Sequence, residues 1–286
     1  MNQHDNLHTV LWDGDNTIWD WMQYAVPAYE AMCAEIARIA GRSFDETADA
    51  MKEFYSFHGT LEHEGLVQGL EASGFFHNAA NFNREQTILQ VQTRFATVRR
   101  QHLHVYPGIA KVMRDFHQEG VVQHILTDAP ARQALARLSH SKLLPYIDTV
   151  FAMPSGEIRD IPSSLKKTSP KDTYQPRVVI VSEEKPHTNL EILLAMTRDQ
   201  ITRHVGMVGD NVTKDMALGE RYGMRGIHAA YGAATADYVR RIQRFAPARV
   251  ANRNMEAVGS SDSARGNSRI ASVHDPKEIR EQLLRM

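Results

Sequence analysis

Short apolar runs alternate with helical patterns along most of the chain, and this alternation predicts an α/β fold. Seven runs of four to six residues are mostly apolar, and several are rich in Val, Ile and Leu, which is typical of strands buried in a parallel sheet. Helical patterns separate most of these runs, so we expect a doubly wound parallel sheet. The predicted strands cover residues 9–12, 121–126, 148–153, 177–182, 205–208, 225–230 and 270–273.

The stretch between the first two predicted strands differs from the rest because it contains only helical patterns. Apolar residues recur there at helical spacing, and glycines divide several of the segments. An all-helical insert predicts a separate domain, so we assign residues 1–19 and 105–286 to an α/β core and residues 20–104 to an inserted α-helical cap domain. The helices of the insert are expected near residues 26–40, 45–57, 60–70 and 83–100.

Composition and charge are those expected of a soluble globular protein. Hydrophobic residues make up 42% of the chain, and its 33 basic and 34 acidic residues leave a net charge of −1. The single cysteine, Cys33, excludes an intramolecular disulfide. Residues 1–8 are polar, and no stretch approaches the roughly 18 apolar residues of a membrane span. We therefore expect a cytoplasmic protein without a nucleic-acid or membrane partner, as a monomer or a homodimer.

Two polar stretches have no clear period. Residues 154–176 are rich in Pro, Ser, Lys and Asp, and they could form a hairpin, a dimer contact or a flap that faces the substrate. Residues 232–268 are predicted to form a helix followed by a mobile loop. Neither stretch contains a motif that identifies a ligand.

The first predicted strand ends in two carboxylates, Asp13 and Asp15, that are one residue apart. Like charges close together at a buried strand end repel one another, and a bound cation relieves that repulsion. A calcium loop is excluded because Ile18 and Tyr24 stand where such a loop needs Gly and Glu. The segment therefore predicts a metal-assisted site at the carboxyl end of a strand, where open α/β sheets bind their ligands. The alternative is a simple helix cap.

Further polar groups follow later strands in a fixed order. Thr127 and Asp128 come after the second predicted strand, and Lys185 precedes a proline and a helical pattern. Asp210 follows a glycine after the fifth strand, and Asp215 comes five residues later. Together with the first motif, this order resembles the haloacid dehalogenase-like (HAD) hydrolase superfamily over nearly the whole chain. The resemblance implies a Rossmann-like core with an α-helical cap that closes over the site and selects the substrate.

The resemblance also implies a phosphatase mechanism. Asp13 would attack the phosphoryl group and form an aspartyl-phosphate, and Asp15 would protonate the leaving group and later activate water. Thr127, Asp128 and Lys185 would bind the phosphoryl group of a small phosphorylated substrate.

The expected cofactor is Mg²⁺, because hard oxygen ligands and a phosphate suit this ion. Its ligands would be Asp13, Asp15 and Asp210, with Asp215 either behind these ligands or bound to the ion only indirectly.

Each later motif also has a simpler interpretation. Thr127 or Asp128 could cap the helix that follows, and Asp210 could do the same for its own helix. Lys185 could be a surface lysine, and one of the lysines in residues 154–176 could replace it.

Other activities use similar residues. A phosphomutase would need only a different cap, and a haloacid dehalogenase needs no acid for its leaving group, so Asp15 argues against it. Phosphonate hydrolysis would require a cap lysine, for which Lys52 is the only choice. A non-catalytic regulator phosphorylated on Asp13 remains the alternative from another class.

Overall fold

We describe the protein from a computed structural model. The structure describes residues 7–61, 63, 65–80, 82–155, 175–246 and 269–286. These residues form two compact units. The described residues of the first unit lie within Met1–Trp19, Val105–Gly232 and Asp262–Met286, and those of the second lie within Asp20–His104 and Ala233–Ser261.

The first unit contains a parallel sheet, which confirms the predicted α/β fold class. Seven strands of the described residues pair in the order β4-β3-β2-β1-β5-β6-β7, and every neighbouring pair is parallel. The strands are β1 (Thr9–Trp12), β2 (Val122–Pro130), β3 (Thr149–Met153), β4 (Arg177–Ile180), β5 (Val205–Gly209), β6 (Arg225–Ala229) and β7 (Ile270–Val273).

Helices make up most of the remaining regular structure in the described residues. They are α1 (Trp21–Ala40), α2 (Phe44–His58), α3 (Leu66–Ala72), α4 (Arg84–His102), α5 (Ile109–Gln118), α6 (Ala131–His140), α7 (Leu190–Leu194), α8 (Arg198–His204), α9 (Ala217–Tyr222), α10 (Ala236–Ile242) and α11 (Ile279–Arg285).

The register of the sheet decides where the site lies. β1 is the central strand, and its last residue, Trp12, pairs with Ile125 of β2 on one side and Val208 of β5 on the other. All four residues of β1 are buried, which explains why three of the four are large apolar residues. The segments that follow these three strands therefore leave the sheet side by side.

Buried side chains hold the helices of the first unit to the sheet. The indole of Trp12 meets the ring of Phe116 on α5 edge to face, with 6.4 Å between the ring centroids, and its N–H donates to the Gln123 amide at 3.1 Å. A second cluster joins the sheet to α8 and α9 through Leu11, Leu126, Phe151, Ile201, Met207, Leu218 and Tyr222.

The second unit is helical, and the caps of its helices follow the sequence closely. Gly41 caps the carboxyl end of α1, and its φ of 65° is the left-handed conformation that glycine adopts easily. α2 begins with a capping box between Ser43 and Glu46, and α4 begins at Asn83, whose side chain accepts the Gln86 N–H.

The chain division differs from the predicted domains at one place, because α10 groups with the helical unit. Arg241 of α10 donates two hydrogen bonds to Glu30 of α1, at 2.7 and 2.9 Å. Phe245 stacks on Tyr29 of α1 with 6.3 Å between the ring centroids. The helical unit is therefore built from two segments of the chain, whereas the sequence predicted one.

Smaller differences concern the ends of elements. α3 begins at Leu66, six residues later than the predicted start at Thr60. β2 continues through Thr127 and Asp128 to Pro130 and so contains a motif expected after its end. The short helix α8 was not predicted. Most of the predicted insertion 154–176 and most of the predicted loop 232–268 lie outside the described residues. No described helix has both the length and the apolar character needed to cross a membrane.

Candidate active site

The site forms where the chain leaves the central strand. Asp13 follows β1 directly, and its N–H donates to the Val208 carbonyl of β5 at 2.8 Å. This bond continues the parallel ladder by one residue, so the backbone of Asp13 is fixed at the carboxyl end of the central strand. The Thr17 hydroxyl lies 3.4 Å from Oδ2 of the same carboxylate. Asp13 is 7% exposed, which leaves it within reach of a small ligand.

Lys185 joins two of the acidic side chains. Its Nζ atom contacts Oδ1 of Asp13 and donates to Oδ1 of Asp215 at 2.6 Å. The side chain of Lys185 is 3% exposed and that of Asp215 is 1% exposed. Burial alone would lower the pKa of Lys185, but the carboxylates of Asp13, Asp215 and Asp128 raise it well above its usual value. The lysine is thus a fixed positive charge beside Asp13 and is not a surface residue.

Three carboxylates converge beside this lysine. One oxygen from each of Asp13, Asp210 and Asp215 lies within 4.8 Å of the others. Burial raises the pKa of Asp13 to about 7, and repulsion from Asp215 adds to the effect while Lys185 opposes it. Burial and the charges of Asp13 and Asp215 also raise the pKa of Asp210 well above its usual value. One lysine therefore does not balance the group, and a divalent cation with hard oxygen ligands fits this donor set.

The backbone of the Asp210 segment is shaped to bring Asp210 and Asp215 together. Gly209 ends β5, and a Cβ atom added there would lie 2.3 Å from the carboxylate of Asp215. No other residue fits at position 209 unless Asp215 moves. The second oxygen of Asp215 accepts the Asn211 N–H at 3.0 Å, so this carboxylate is held from two sides.

Asp15 does not belong to this group of three carboxylates. Its carboxylate accepts from Arg137 Nη1 at 2.7 and 2.9 Å and from the Trp19 indole N–H at 2.7 Å. Arg137 lies on α6, and its side chain is only 3% exposed. The sequence predicted the Asp15 side chain as a metal ligand, whereas the structure pairs it with a buried guanidinium and brings Asp215 to the group instead.

Thr127 and Asp128 have different surroundings although they are neighbours. A Cβ atom on Gly14 would lie 3.5 Å from Thr127 Oγ1, so this hydroxyl is beside the loop that carries Asp13. The same oxygen accepts the Ala129 N–H at 3.1 Å, which leaves its own proton to donate.

Asp128 instead accepts hydrogen bonds from two other segments, those that contain Lys185 and Lys214. Its Oδ1 accepts the Lys185 backbone N–H at 3.2 Å, and its Oδ2 accepts from Lys214 at 2.6 Å. Burial alone would raise the pKa of Asp128, but Lys185 and Lys214 hold it below its usual value. Asp128 therefore supports the position of Lys185, which differs from the predicted contact with substrate.

The loop after β6 lies in close contact with the loop that carries Asp13. The Tyr231 hydroxyl donates to the Thr17 carbonyl at 2.8 Å. A Cβ atom on Gly232 would lie 1.7 Å from the Asn16 carbonyl oxygen, so only glycine fits there. Asn16 itself has a φ of 58°. These contacts fix the turn that follows Asp13.

Several residues of the site were not found from the sequence. Arg137, Lys214 and Tyr231 lie in ordinary helical or loop patterns and belong to none of the motifs. Gly232 gives a weak signal, since a glycine shortly after a strand often marks a close approach of two backbones.

A comparison with protein families finds one match, which covers part of the candidate active site. Residues 184–257, which include Lys185, Asp210 and Asp215, match the family described as HAD-hydrolase-like. No curated protein matches the chain significantly.

Several solved structures share the fold over nearly the whole chain. A 2-haloacid dehalogenase from Pseudomonas syringae pv. Tomato DC3000 is 16% identical with a TM-score of 0.56, and the match covers 98% of this chain and 99% of that one. A HAD phosphatase from Thermococcus onnurineus is 16% identical with a TM-score of 0.54, covering 97% and 98%. YfnB from Bacillus subtilis, provisionally described as a HAD hydrolase and crystallised with bound magnesium, is 12% identical with a TM-score of 0.50, covering 97% and 99%.

The chain therefore shares its fold with these proteins, and its residues 184–257 match the HAD-hydrolase-like family. Both findings agree with the resemblance drawn from the motifs.

Proposed function

We propose that the protein is a Mg²⁺-dependent phosphohydrolase that acts on a small phosphorylated metabolite through an aspartyl-phosphate on Asp13. The observation that carries the proposal is the convergence of Asp13, Asp210 and Asp215 within 4.8 Å, with Lys185 in contact with Asp13. A buried carboxylate beside a fixed ammonium and a cation site is suited to attack on a phosphoryl group, because phosphoryl transfer depends mainly on positioning and charge neutralisation.

The chain's own residues account for both halves of the reaction. An oxygen of Asp13 forms a bond to phosphorus while the bond from phosphorus to the leaving oxygen breaks, and Asp15 gives that oxygen a proton. Water then attacks the phosphorus, Asp15 takes the proton of the water, and the Asp13 carboxylate is released with inorganic phosphate. Lys185 and the Thr127 hydroxyl hold the phosphoryl oxygens. A bound divalent cation would supply the remaining positive charge.

Two other activities share this site. A haloacid dehalogenase is favoured by the fold of one solved relative, yet halide loss needs neither the three carboxylates nor Asp15. A phosphomutase would use the same residues and would differ by returning the phosphoryl group to a second substrate. The three carboxylates and Asp15 therefore favour phosphoryl transfer over halide loss, and release of inorganic phosphate distinguishes a phosphatase from a phosphomutase.

The test is a panel of phosphorylated metabolites assayed for phosphate release in Mg²⁺ and in EDTA, with 2-haloacids and a sugar bisphosphate as parallel arms. We expect Mg²⁺-dependent release of phosphate, lost in Asp13→Asn and kept in Asp199→Asn. Asp199 is a matched control because its side chain is 67% exposed and pairs with a neighbour on its own helix. Halide release, or isomerisation without release of phosphate, would overturn the proposal.

A further inference from the structure

Asp210 is held at two points by residues to which the sequence analysis assigned no role. Its backbone carbonyl faces the imidazole of His228 on β6, with 3.1 Å between the oxygen and Nε2. Its carboxyl group receives a hydrogen bond from the side chain of Asn16. Both contacts lie within the first unit, so they belong to one compact body.

The hydrogen bonds fix which nitrogen of His228 carries the proton. A carbonyl oxygen can only accept, so Nε2 must be the donor to Asp210. The other nitrogen, Nδ1, lies 3.2 Å from the Ser272 hydroxyl of β7 and therefore accepts from it. His228 is 3% exposed, whereas Ser272 at the far end of the relay is exposed. The result is a chain of hydrogen bonds from β7 through β6 to the loop after β5.

Asn16 contacts the side chain of Asp210, whereas His228 contacts its backbone. It stands in the turn after Asp13, where its φ of 58° would suit glycine equally well. It is 5% exposed, and its backbone N–H is already used by the Trp19 carbonyl at 2.7 Å. The backbone therefore does not require an asparagine here, and the role of the side chain lies in its polar contacts.

We infer that His228 and Asn16 are positioning residues for the divalent-cation site, His228 by fixing the Asp210 backbone and Asn16 by orienting its carboxylate. The inference rests on the proposed function for the presence of the cation. Residues that orient metal ligands in this way commonly change metal affinity by about 10- to 100-fold when they are removed.

The experiment measures Mg²⁺ binding by calorimetry in the absence of any substrate, on the wild type, four test variants and one control variant. Asn16→Gly keeps the favourable backbone and removes only the amide. His228→Leu removes both hydrogen bonds of the imidazole, and His228→Gln supplies an amide donor in place of Nε2. Ser272→Ala removes only the hydrogen bond between the Ser272 hydroxyl and Nδ1 of His228. His140→Gln, at an exposed helix end, is the matched control. Thermal unfolding in EDTA shows whether each variant is folded.

We expect the Mg²⁺ dissociation constant to rise by about tenfold in Asn16→Gly and His228→Leu. His228→Gln should restore most of the affinity, and Ser272→Ala should lie between His228→Leu and the wild type. If His228→Leu does not fold, Asn16→Gly and Ser272→Ala decide the matter, since neither disturbs the core.

Two results would overturn the inference, and they can be told apart. Folded variants that all bind Mg²⁺ within about twofold of the wild type would show that His228 and Asn16 have no part in the site. A wild-type protein that binds no Mg²⁺ would overturn the cation site of the proposed function, and this inference with it.

Discussion

The carboxylate of Asp15 lies in an ion pair with Arg137, whose Nη1 atom is 2.7 Å from Oδ2 and 2.9 Å from Oδ1. The guanidinium side chain is 3% exposed and the carboxylate side chain 26% exposed. A buried charge that loses its partner is costly, whereas the intact pair adds little net stability. Arg137 thus holds Asp15 in position together with the Trp19 indole, which donates to Oδ1 at 2.7 Å.

Removing one member of this pair leaves the other charge without its partner. The two single substitutions together should therefore destabilise the protein more than the double substitution does. We expect Arg137→Met to cost about 2–4 kcal/mol, below the largest values for such pairs because Asp15 is partly solvated. In Asp15→Asn/Arg137→Met the loss should fall short of the sum of the single losses by about 1–2 kcal/mol. Urea unfolding of the four proteins measures this coupling.

Arg203 provides the matched control for that cycle, because its pair with Asp199 has side chains 52% and 67% exposed. Arg203→Met should cost less than about 1 kcal/mol. Equal losses in Arg137→Met and Arg203→Met would show that the buried pair has no special place in the site.

Gly232 is expected to tolerate no side chain. A Cβ atom there would lie 1.7 Å from a backbone oxygen of the Asp13 loop, so Gly232→Ala must displace that loop. We expect a loss of about 1–3 kcal/mol of stability together with a large fall in phosphate release. Stability by urea unfolding and rate by phosphate assay are both needed.

Gly219→Ala is the control for this substitution, because the residue is inside a helix and its added Cβ would meet no atom of the described residues within 4 Å beyond its own helix backbone. Alanine should there be neutral or stabilising by up to about 1 kcal/mol. If Gly232→Ala behaves in the same way, the close approach of the two loops is not rigid.

Stability should depend on pH in opposite ways with and without Mg²⁺. The pKa of Asp13 is raised from 3.8 to about 7 by burial, so in EDTA the folded protein binds a proton that the unfolded chain has lost. The stability that this proton confers is full below about pH 4 and is lost as the pH rises through about 7. Because a metal binds only the ionised carboxylate, Mg²⁺ should stabilise the protein more at pH 8 than at pH 5.

Melting temperatures between pH 5 and 8, in EDTA and in Mg²⁺, test this expectation. Asp13→Asn should flatten the part of the EDTA curve that Asp13 contributes. An increase in stability from pH 5 to 7 in EDTA, unchanged by Asp13→Asn, would contradict the assigned environment of Asp13.

The parts of the molecule that could be predicted are those fixed by local pattern. β1 begins and ends at the predicted residues, Thr9 and Trp12, because the short apolar run Val10–Trp12 stands between polar segments and is buried as a unit. The carboxyl ends of parallel strands meet at one edge of a sheet, so the order of the motifs along the chain is enough to bring Asp13 and Asp210 close together.

The parts that could not be predicted depend on contacts between distant segments. Arg137 meets Asp15 across 122 positions of the chain, and Arg241 meets Glu30 across 211. Each arginine lies at a helix position where a solvent-exposed charge would fit equally well. The spacing of apolar residues along the helix therefore does not identify the acidic partner. The same reason explains why α10 was assigned to the core.

The central claim is that Asp13 is the nucleophile, and trapping the covalent intermediate tests it most directly. A ³²P-labelled substrate found by the metabolite panel is mixed with the enzyme and Mg²⁺ and quenched with acid within one turnover. We predict a protein-bound label that hydroxylamine removes and that maps to the peptide containing Asp13, absent from Asp13→Asn. Continued turnover by Asp13→Asn, or a label on another peptide, would contradict the account.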